Sequence, residues 1–83
     1  MEIKVLGSGC MKCNKLEGLV KEVLQELAVE ASVEKVSDIK EISKMGVMLT
    51  PGLVINGQVK SSGKLPSKAE ISQIITTVLA EEE

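Results

Sequence analysis

The spacing of hydrophobic and polar positions along this chain changes several times, and each change marks a boundary between predicted elements. Apolar and polar residues alternate from Glu2 to Leu6, which is the pattern of a half-buried strand. From Cys10 to about Leu27 the apolar residues recur every three or four positions, which predicts an amphipathic helix. The apolar stripe of this helix contains Leu16, Leu19, Val20, Val23, Leu24 and Leu27, and Cys13 extends it toward the helix start.

A second strand and a short helix are predicted in the middle of the chain. The segment from Ala31 to Val36 is rich in β-branched residues, which favour strands. Asp38 and Glu41 have the spacing of a capping box, so a helix should begin beside them. The apolar positions of this short helix are Ile39, Ile42 and Met45, and its predicted end is Gly46.

A tight hairpin is predicted near residue 56. Leu53 to Ile55 is an apolar run that is typical of a buried strand. Asn56-Gly57 follows it, and this dipeptide is the strongest short signal for a two-residue hairpin loop of type I′. Val59 then lies in the returning strand.

The last predicted element is a helix that begins at a second capping box, formed by Ser67 and Glu70. Three glutamates at 81–83 place negative charge at the unfavourable end of the helix dipole, so this tail is expected to fray. We therefore predict a single domain over residues 1–80 and a frayed acidic tail over 81–83. The apolar face of the last helix consists of Ile71, Ile74, Ile75, Val78 and Leu79.

The order of these elements, βαβ, a short helix and then ββα, predicts an α/β fold. A parallel strand pair needs a helical crossover, whereas the Asn-Gly turn makes an antiparallel pair. The expected architecture is a four-stranded mixed sheet with helices on both faces. A chain of 83 residues is long enough for one small domain of this kind, and it shows no internal repeat.

Composition and charge exclude several classes of function. Hydrophobic residues make up 43% of the chain but none is aromatic, so the core must be aliphatic and surfaces that stack on nucleic-acid bases are missing. We expect Met45 and Met48 to fill that core and Met11 to be exposed. The net charge of −2 gives no attraction to phosphate backbones or anionic lipid. No apolar stretch approaches the ~20 residues that span a bilayer. We therefore predict a soluble, cytoplasmic monomer without a signal peptide, which binds neither nucleic acid nor membranes.

Cys10 and Cys13 are the chain's two cysteines, and they stand where the first strand joins the first helix. A helix N-terminus stabilises a thiolate, so Cys10 should be the reactive, accessible thiol and Cys13 should be buried. A bridge across so small a loop would constrain the unfolded chain very little, which argues against a structural staple. The pair is predicted to be a reversible dithiol switch; the plainer alternative is two small buried hydrophobes. Lys12, between them, is either a solvated helix residue or a charge that favours the thiolate.

Two segments together resemble a known family. The run Gly7–Cys13 with its leucine-rich helix, and the run Gly46–Val59 with Thr50-Pro51 inside it, are similar to the small redox-active disulfide proteins of archaea and bacteria. These are glutaredoxin-sized members of the thioredoxin superfamily, and the resemblance covers nearly the full chain. It implies a thiol–disulfide oxidoreductase that acts on disulfides in protein or small-molecule substrates, with an electron donor of the thioredoxin-reductase type and no cofactor.

The resemblance also implies roles for individual residues. Cys10 would be the attacking thiol and Cys13 the resolving thiol. Pro51 would follow a cis peptide bond and lie beside the disulfide, and the Thr50 backbone would pair with an extended substrate segment. Without the resemblance, Thr50-Pro51 is a turn that starts a strand.

Heavy-metal-associated domains are the competing class, because they also join a strand to a helix through Cys-x-x-Cys and bind Cu(I) or a metalloid between two thiolates. Such domains run βαββαβ and end on a strand, whereas this chain is predicted to end on a helix. Their usual methionine before the motif is also absent, since Ser8 and Gly9 stand there. A zinc site wants four ligands, and the chain offers two cysteines and no histidine. A binding module that keeps the fold without turnover is the remaining alternative.

Overall fold

A computed structural model describes residues 1–7 and 11–82 of this chain. The helices and strands occur in the predicted order βαβ-α-ββα, and the chain's last described element is a helix. This differs from the βαββαβ order of heavy-metal-associated domains. The strands are β1 (Glu2–Leu6), β2 (Ser32–Val36), β3 (Gly52–Ile55) and β4 (Gln58–Ser62), and the helices are α1 (Met11–Glu26), α2 (Ile39–Lys44) and α3 (Lys68–Glu82).

The four strands form one mixed sheet in the order β2-β1-β3-β4. β1 and β2 are parallel because α1 carries the chain back to the end of the sheet where β1 began. The β1–β3 and β3–β4 pairs are antiparallel. The predicted four-stranded mixed sheet is therefore confirmed.

Helices cover both faces of the sheet, as predicted. Since side chains alternate along a strand, Val5 and Leu6 point to opposite faces and belong to separate hydrophobic clusters. The larger cluster packs α1 and α3 on one face, and the smaller cluster packs α2 on the other. All of β3 is buried because it lies inside the sheet and between these two layers. The smaller cluster consists of Leu6, Val36, Ile42, Val47 and Val54.

The predicted turn and helix starts are confirmed. Asn56 and Gly57 have φ angles of 52° and 81°, and a type I′ turn needs positive values at both positions. At the start of α3, the Glu70 N–H donates to Ser67 Oγ at 3.2 Å and the Ser67 N–H donates to Glu70 Oε1 at 3.5 Å. Asp38 caps α2 by accepting from the Lys40 N–H at 2.9 Å.

Three apolar side chains lie outside the core that the pattern predicted. Leu27 is 39% exposed because α1 already ends at Glu26. Ala28, with a φ of 55°, then turns the chain away from the helix axis. Ile39 is 72% exposed, since a helix of only six residues directs just Ile42 into the sheet. Met48 is 87% exposed, whereas Met45 packs against the smaller cluster and Met11 is exposed, as predicted.

The acidic end of the chain is helical further than the sequence analysis expected. α3 continues through Glu82, which is two residues into the predicted tail. Glu83 lies outside the described residues.

Candidate active site

Gly7 and Cys13 approach each other at the end of β1 more closely than any other side chain at position 7 would allow. A Cβ built on Gly7 would lie 2.1 Å from Cys13 Sγ and 2.8 Å from Cys13 Cβ. The Gly7 N–H donates to the Val36 carbonyl at 2.9 Å, which fixes this backbone against the end of β2. The Cys13 side chain therefore occupies the space that the missing Cβ leaves free.

Cys13 is fully buried, so the prediction that it continues the apolar stripe of α1 is confirmed. Its sulfur is in a disulfide and does not titrate in this state. Leu16 and Val20 continue the same buried face one and two turns further along the helix. Cys10 lies outside the described residues, so its role as the attacking thiol stays a prediction.

The loop before β3 meets Cys13 at the same glycine. The Thr50–Pro51 peptide bond is cis, as the resemblance predicted. Thr50 Cβ lies 3.8 Å from the position that a Cβ on Gly7 would take, while Cys13 Sγ lies 2.1 Å from it. Thr50 and Cys13 are far apart in the sequence, and the fold brings both side chains close to Gly7. Pro51 is buried, and its place beside the disulfide stays a prediction.

Bonds from the end of β4 hold this loop on both sides of Thr50. Ser62 Oγ donates to the Leu49 carbonyl at 3.2 Å, and the Gly63 N–H donates to the Pro51 carbonyl at 3.0 Å. Within the described residues the Thr50 backbone has no hydrogen-bond partner of its own, and Thr50 is exposed. Among residues 1–7 and 11–82, nothing therefore pairs with the peptide N–H or the carbonyl of Thr50.

Comparison with known proteins identifies the family of this chain. A family model described as a thioredoxin domain matches residues 1–76. The chain belongs to the thioredoxin family.

Two curated archaeal relatives are similar over nearly the whole chain. A thioredoxin from Methanothermobacter thermautotrophicus is 36% identical over 76 residues, which cover 92% of this chain and 99% of the relative. A thioredoxin from Methanocaldococcus jannaschii is 36% identical over 77 residues, which cover 93% of this chain and 88% of the relative. This thioredoxin-family protein is therefore a thiol–disulfide oxidoreductase, and the predicted family and fold are confirmed.

This thioredoxin-family protein exposes apolar side chains at the start of α1 and in the loop before Thr50. Met11 is 89% exposed at the start of α1, and Met48 and Leu49 are 87% and 66% exposed in the loop before Thr50. Beside that loop lies a concavity of about 220 Å³, lined by Ile39, Ile42, Ser43, Val47, Met48 and Thr50. A larger concavity of about 810 Å³ lies at the far end of α1 and includes neither Cys13 nor Thr50.

Lysines also lie close to Cys13. Lys12 and Lys15 are exposed near the start of α1. Lys35, from the neighbouring β2, donates through Nζ to Asn14 Oδ1. The structure gives Lys12 an exposed position next to Cys13, and its proposed effect on the thiolate stays a prediction.

Sequence reasoning did not assign a role to Gly7, Asn14 or Lys35. Gly7 belongs to a glycine-rich run, which predicts a turn. The run does not indicate which of its glycines packs against the Cys13 side chain. The Asn14–Lys35 contact joins α1 to β2, and no local sequence pattern predicts it.

Residues 1–7 and 11–82 contain no group of three or more His, Cys, Asp or Glu side chains placed to hold a metal ion. None of the helices described is both long enough and apolar enough to cross a membrane.

Proposed function

We propose that this protein reduces or exchanges disulfides through a Cys10–Cys13 dithiol, with Cys10 as the attacking thiol and Cys13 as the resolving thiol. The observation that carries the proposal is that Cys13 and Thr50 both lie close to Gly7. The buried sulfur is thus near a residue whose backbone has no partner in the described part of the chain. The Cys13 sulfur can complete an exchange reaction, and the Thr50 backbone can hold a substrate chain while the exchange takes place.

The reaction takes two exchange steps that balance in electrons and protons. The Cys10 thiolate attacks one sulfur of the target disulfide, so a mixed disulfide forms and the other target sulfur leaves as a thiolate that takes up a proton. Cys13 then loses its proton and attacks the Cys10 sulfur, which forms the Cys10–Cys13 disulfide and releases the second target thiol. The target gains two electrons and two protons, and the protein dithiol loses them.

Burial of Cys13 supports its assignment as the resolving thiol. A fully buried sulfur is shielded from a target disulfide in solution, yet it needs to reach only the neighbouring Cys10 sulfur in the mixed disulfide. The disulfide recorded at Cys13 corresponds to the oxidised state that the reaction leaves behind.

Thr50 would bind the substrate chain through its backbone. An extended peptide that pairs with the N–H and carbonyl of Thr50 would add a short strand segment beside the site. The bonds from Ser62 and Gly63 hold the loop in position for this pairing without using the Thr50 groups. The exposed Met48 and Leu49 would give the same chain apolar contacts.

The natural partners would be disulfide-containing proteins and a reductase of the thioredoxin-reductase type. Each turnover leaves the protein oxidised, so a donor must return two electrons to the dithiol. We propose the cytoplasm as the compartment, since reduced thiols persist there. The protein is proposed to act as a monomer and to need no cofactor.

Single cysteine variants test the proposal. In an assay that follows the reduction of a disulfide-bonded protein by dithiothreitol, the wild type should accelerate the reaction and Cys10→Ser should not. Cys13→Ser should accumulate a mixed disulfide with the substrate, because the resolving step is missing. A variant with both substitutions controls for trapping through other groups. Activity that survives in Cys10→Ser, or trapping through Cys13 instead of Cys10, would contradict the assigned roles.

A further inference from the structure

The ion pairs of this protein leave its positive charge unevenly distributed. All ten basic side chains are lysines. Within the described residues, half of them pair with glutamates: Lys4, Lys21, Lys44, Lys64 and Lys68. Lys60 bonds the amide oxygen of Gln58, at 3.0 Å. The remaining lysines, which pair with no acidic side chain in the described part of the chain, are Lys12, Lys15, Lys35 and Lys40.

Three of these unpaired lysines surround the first turns of α1. Lys12 and Lys15 are three positions apart on the helix, so they are neighbours on its exposed side. Lys35 reaches the same helix from β2 and bonds the side chain of Asn14. Cys13 stands within this group in the sequence. We call Lys12, Lys15 and Lys35 the lysine surface.

Acidic side chains near the lysine surface are engaged or point elsewhere. Glu17, on the same helix, pairs with Lys21 at 4.0 Å. Asp38 caps α2 through the Lys40 N–H. Glu34 precedes Lys35 in β2, and alternation along the strand places it on the other face of the sheet. The positive end of the α1 dipole adds to the charge of the three ammonium groups. The surface around the start of α1 is therefore locally positive, although the protein as a whole has a net charge of −2.

We propose that the lysine surface selects polypeptide substrates in which acidic residues flank the disulfide-bonded target cysteine. This inference rests on the proposed exchange reaction and adds a substrate preference to it. Glutamate or aspartate side chains near the target sulfur would meet the three ammonium groups as the disulfide approaches Cys10. Opposite charges on the two partners speed the encounter and fix its orientation.

A polypeptide fits the surroundings better than a small anion does. The exposed Met11, Met48 and Leu49 offer apolar contacts that a small charged disulfide would leave unused. The Thr50 backbone groups, which have no partner in the described part of the chain, can pair with an extended peptide. The lysine surface would supply the charge preference, while these groups would supply contacts common to all peptide substrates.

Matched peptides test the preference directly. Three synthetic peptides share one disulfide and differ only in the residues flanking it, which are Glu, Gln or Lys. The reduced wild-type protein should react with the Glu peptide about tenfold faster than with the Lys peptide at about 20 mM salt, with the Gln peptide between them. The ratio should fall toward one at about 500 mM salt, because exposed charges are screened there.

Charge-removing variants locate the effect. Lys15→Gln and Lys35→Gln should each slow the reaction with the Glu peptide about two- to fivefold at low salt, which corresponds to surface pair energies of about 0.5–1 kcal/mol. Lys15→Arg keeps the charge, so it should react with the Glu peptide at the wild-type rate. Lys60→Gln is the matched control, since it removes one unpaired charge from β4, the opposite edge strand of the sheet. It should leave the peptide preference unchanged.

A second measurement separates recognition from thiol reactivity. The rate of alkylation by neutral iodoacetamide should be the same in Lys15→Gln, Lys35→Gln and the wild type, because this probe carries no charge. A loss of alkylation rate equal to the loss of peptide rate would mean that the lysines act on the thiol, and would overturn the proposal.

The remaining outcomes distinguish this inference from the reaction on which it rests. Equal wild-type rates for the three peptides, or an equal effect of Lys60→Gln and Lys15→Gln, would overturn the substrate preference while leaving disulfide exchange intact. A preference as strong for glutathione disulfide, an anionic small molecule, as for the Glu peptide would overturn the assignment to polypeptides. A wild-type protein that reduces none of the peptides would instead contradict the exchange reaction.

Discussion

Cys13 Sγ fills the position that a side chain on Gly7 would need, since a Cβ placed there would lie 2.1 Å from the sulfur. The same position lies 3.8 Å from Thr50 Cβ. The absence of a side chain at residue 7 thus lets three segments meet: the end of β1, the start of α1 and the loop before β3. A buried sulfur next to the strand backbone requires this close approach.

Replacement of Gly7 should therefore be costly. Gly7→Ala forces Cys13 or the β1 backbone to move, and overpacking of this kind typically costs about 1–3 kcal/mol. Urea denaturation should show a lower free energy of unfolding, and the rate of disulfide reduction should fall because Cys13 is displaced.

Gly18→Ala is the matched control, because nothing lies within 4 Å of a Cβ at that helical position. Alanine also has the higher helix propensity, so this variant should be neutral or more stable by up to about 1 kcal/mol. A Gly7→Ala protein as stable as the wild type would show that the site tolerates the methyl group.

The two cysteines should differ in accessibility to alkylating agents. Cys13 is fully buried, so iodoacetamide should label Cys10 much faster in the reduced native protein. Mass mapping of peptides after brief labelling measures the ratio. In urea the two thiols should label at similar rates, which serves as the control. Faster labelling of Cys13 in the native protein would reverse the assigned roles.

The support that Ser62 gives to the loop before β3 should matter for substrates but not for thiol reactivity. Ser62→Ala removes the 3.2 Å bond to the Leu49 carbonyl, and a bond of this kind contributes about 0.5–1.5 kcal/mol. We expect the reduction of a protein disulfide to slow about two- to tenfold, with an unchanged rate of Cys10 alkylation.

Thr77→Ala is a suitable control for that variant. It removes a comparable bond, from Thr77 Oγ1 to the Gln73 carbonyl at 2.9 Å, within α3. Equal effects of the two substitutions on disulfide reduction would argue that Ser62 has no particular role at the site.

The capping box of α3 should make stability depend on pH below neutrality. The Ser67 backbone N–H bonds the Glu70 carboxylate, and with Lys64 nearby it holds the pKa of Glu70 below its usual value. A lowered pKa in the folded state stabilises the protein above the unfolded pKa of about 4.3, and this contribution is lost as the pH falls through the folded value.

Glu70→Gln should accordingly be less stable than the wild type at pH 7, and the difference should shrink as the pH is lowered below about 4. Thermal unfolding at a series of pH values measures this difference. Glu30→Gln alters an exposed carboxylate that forms no ion pair in the described structure, so it should show little change at any pH. If Glu70→Gln remained less stable than the wild type at low pH, the loss of stability would not be due to the carboxylate charge.

Much of the fold could be predicted from the sequence because its signals are local. The Asn56-Gly57 turn, the Ser67–Glu70 capping box and the period of α1 each depend on residues within one or two turns of chain, and each is present in the structure. The burial of Cys13 followed from the same periodicity. These elements also predicted a crossover for the parallel pair and a tight turn for the antiparallel pair, but not the strand order β2-β1-β3-β4.

What the sequence by itself determined about this protein is the order of its elements, the placement of Cys13 on a buried helix face and the family to which its motifs point. Only the tertiary structure decided that Gly7 is the glycine Cys13 packs against, that Thr50 lies at the same glycine and that Lys35 joins the start of α1. It also decided that Met48 is exposed. Periodicity and turn chemistry report interactions between neighbours in the chain, whereas these contacts depend on which distant segments the packed sheet and helices bring together.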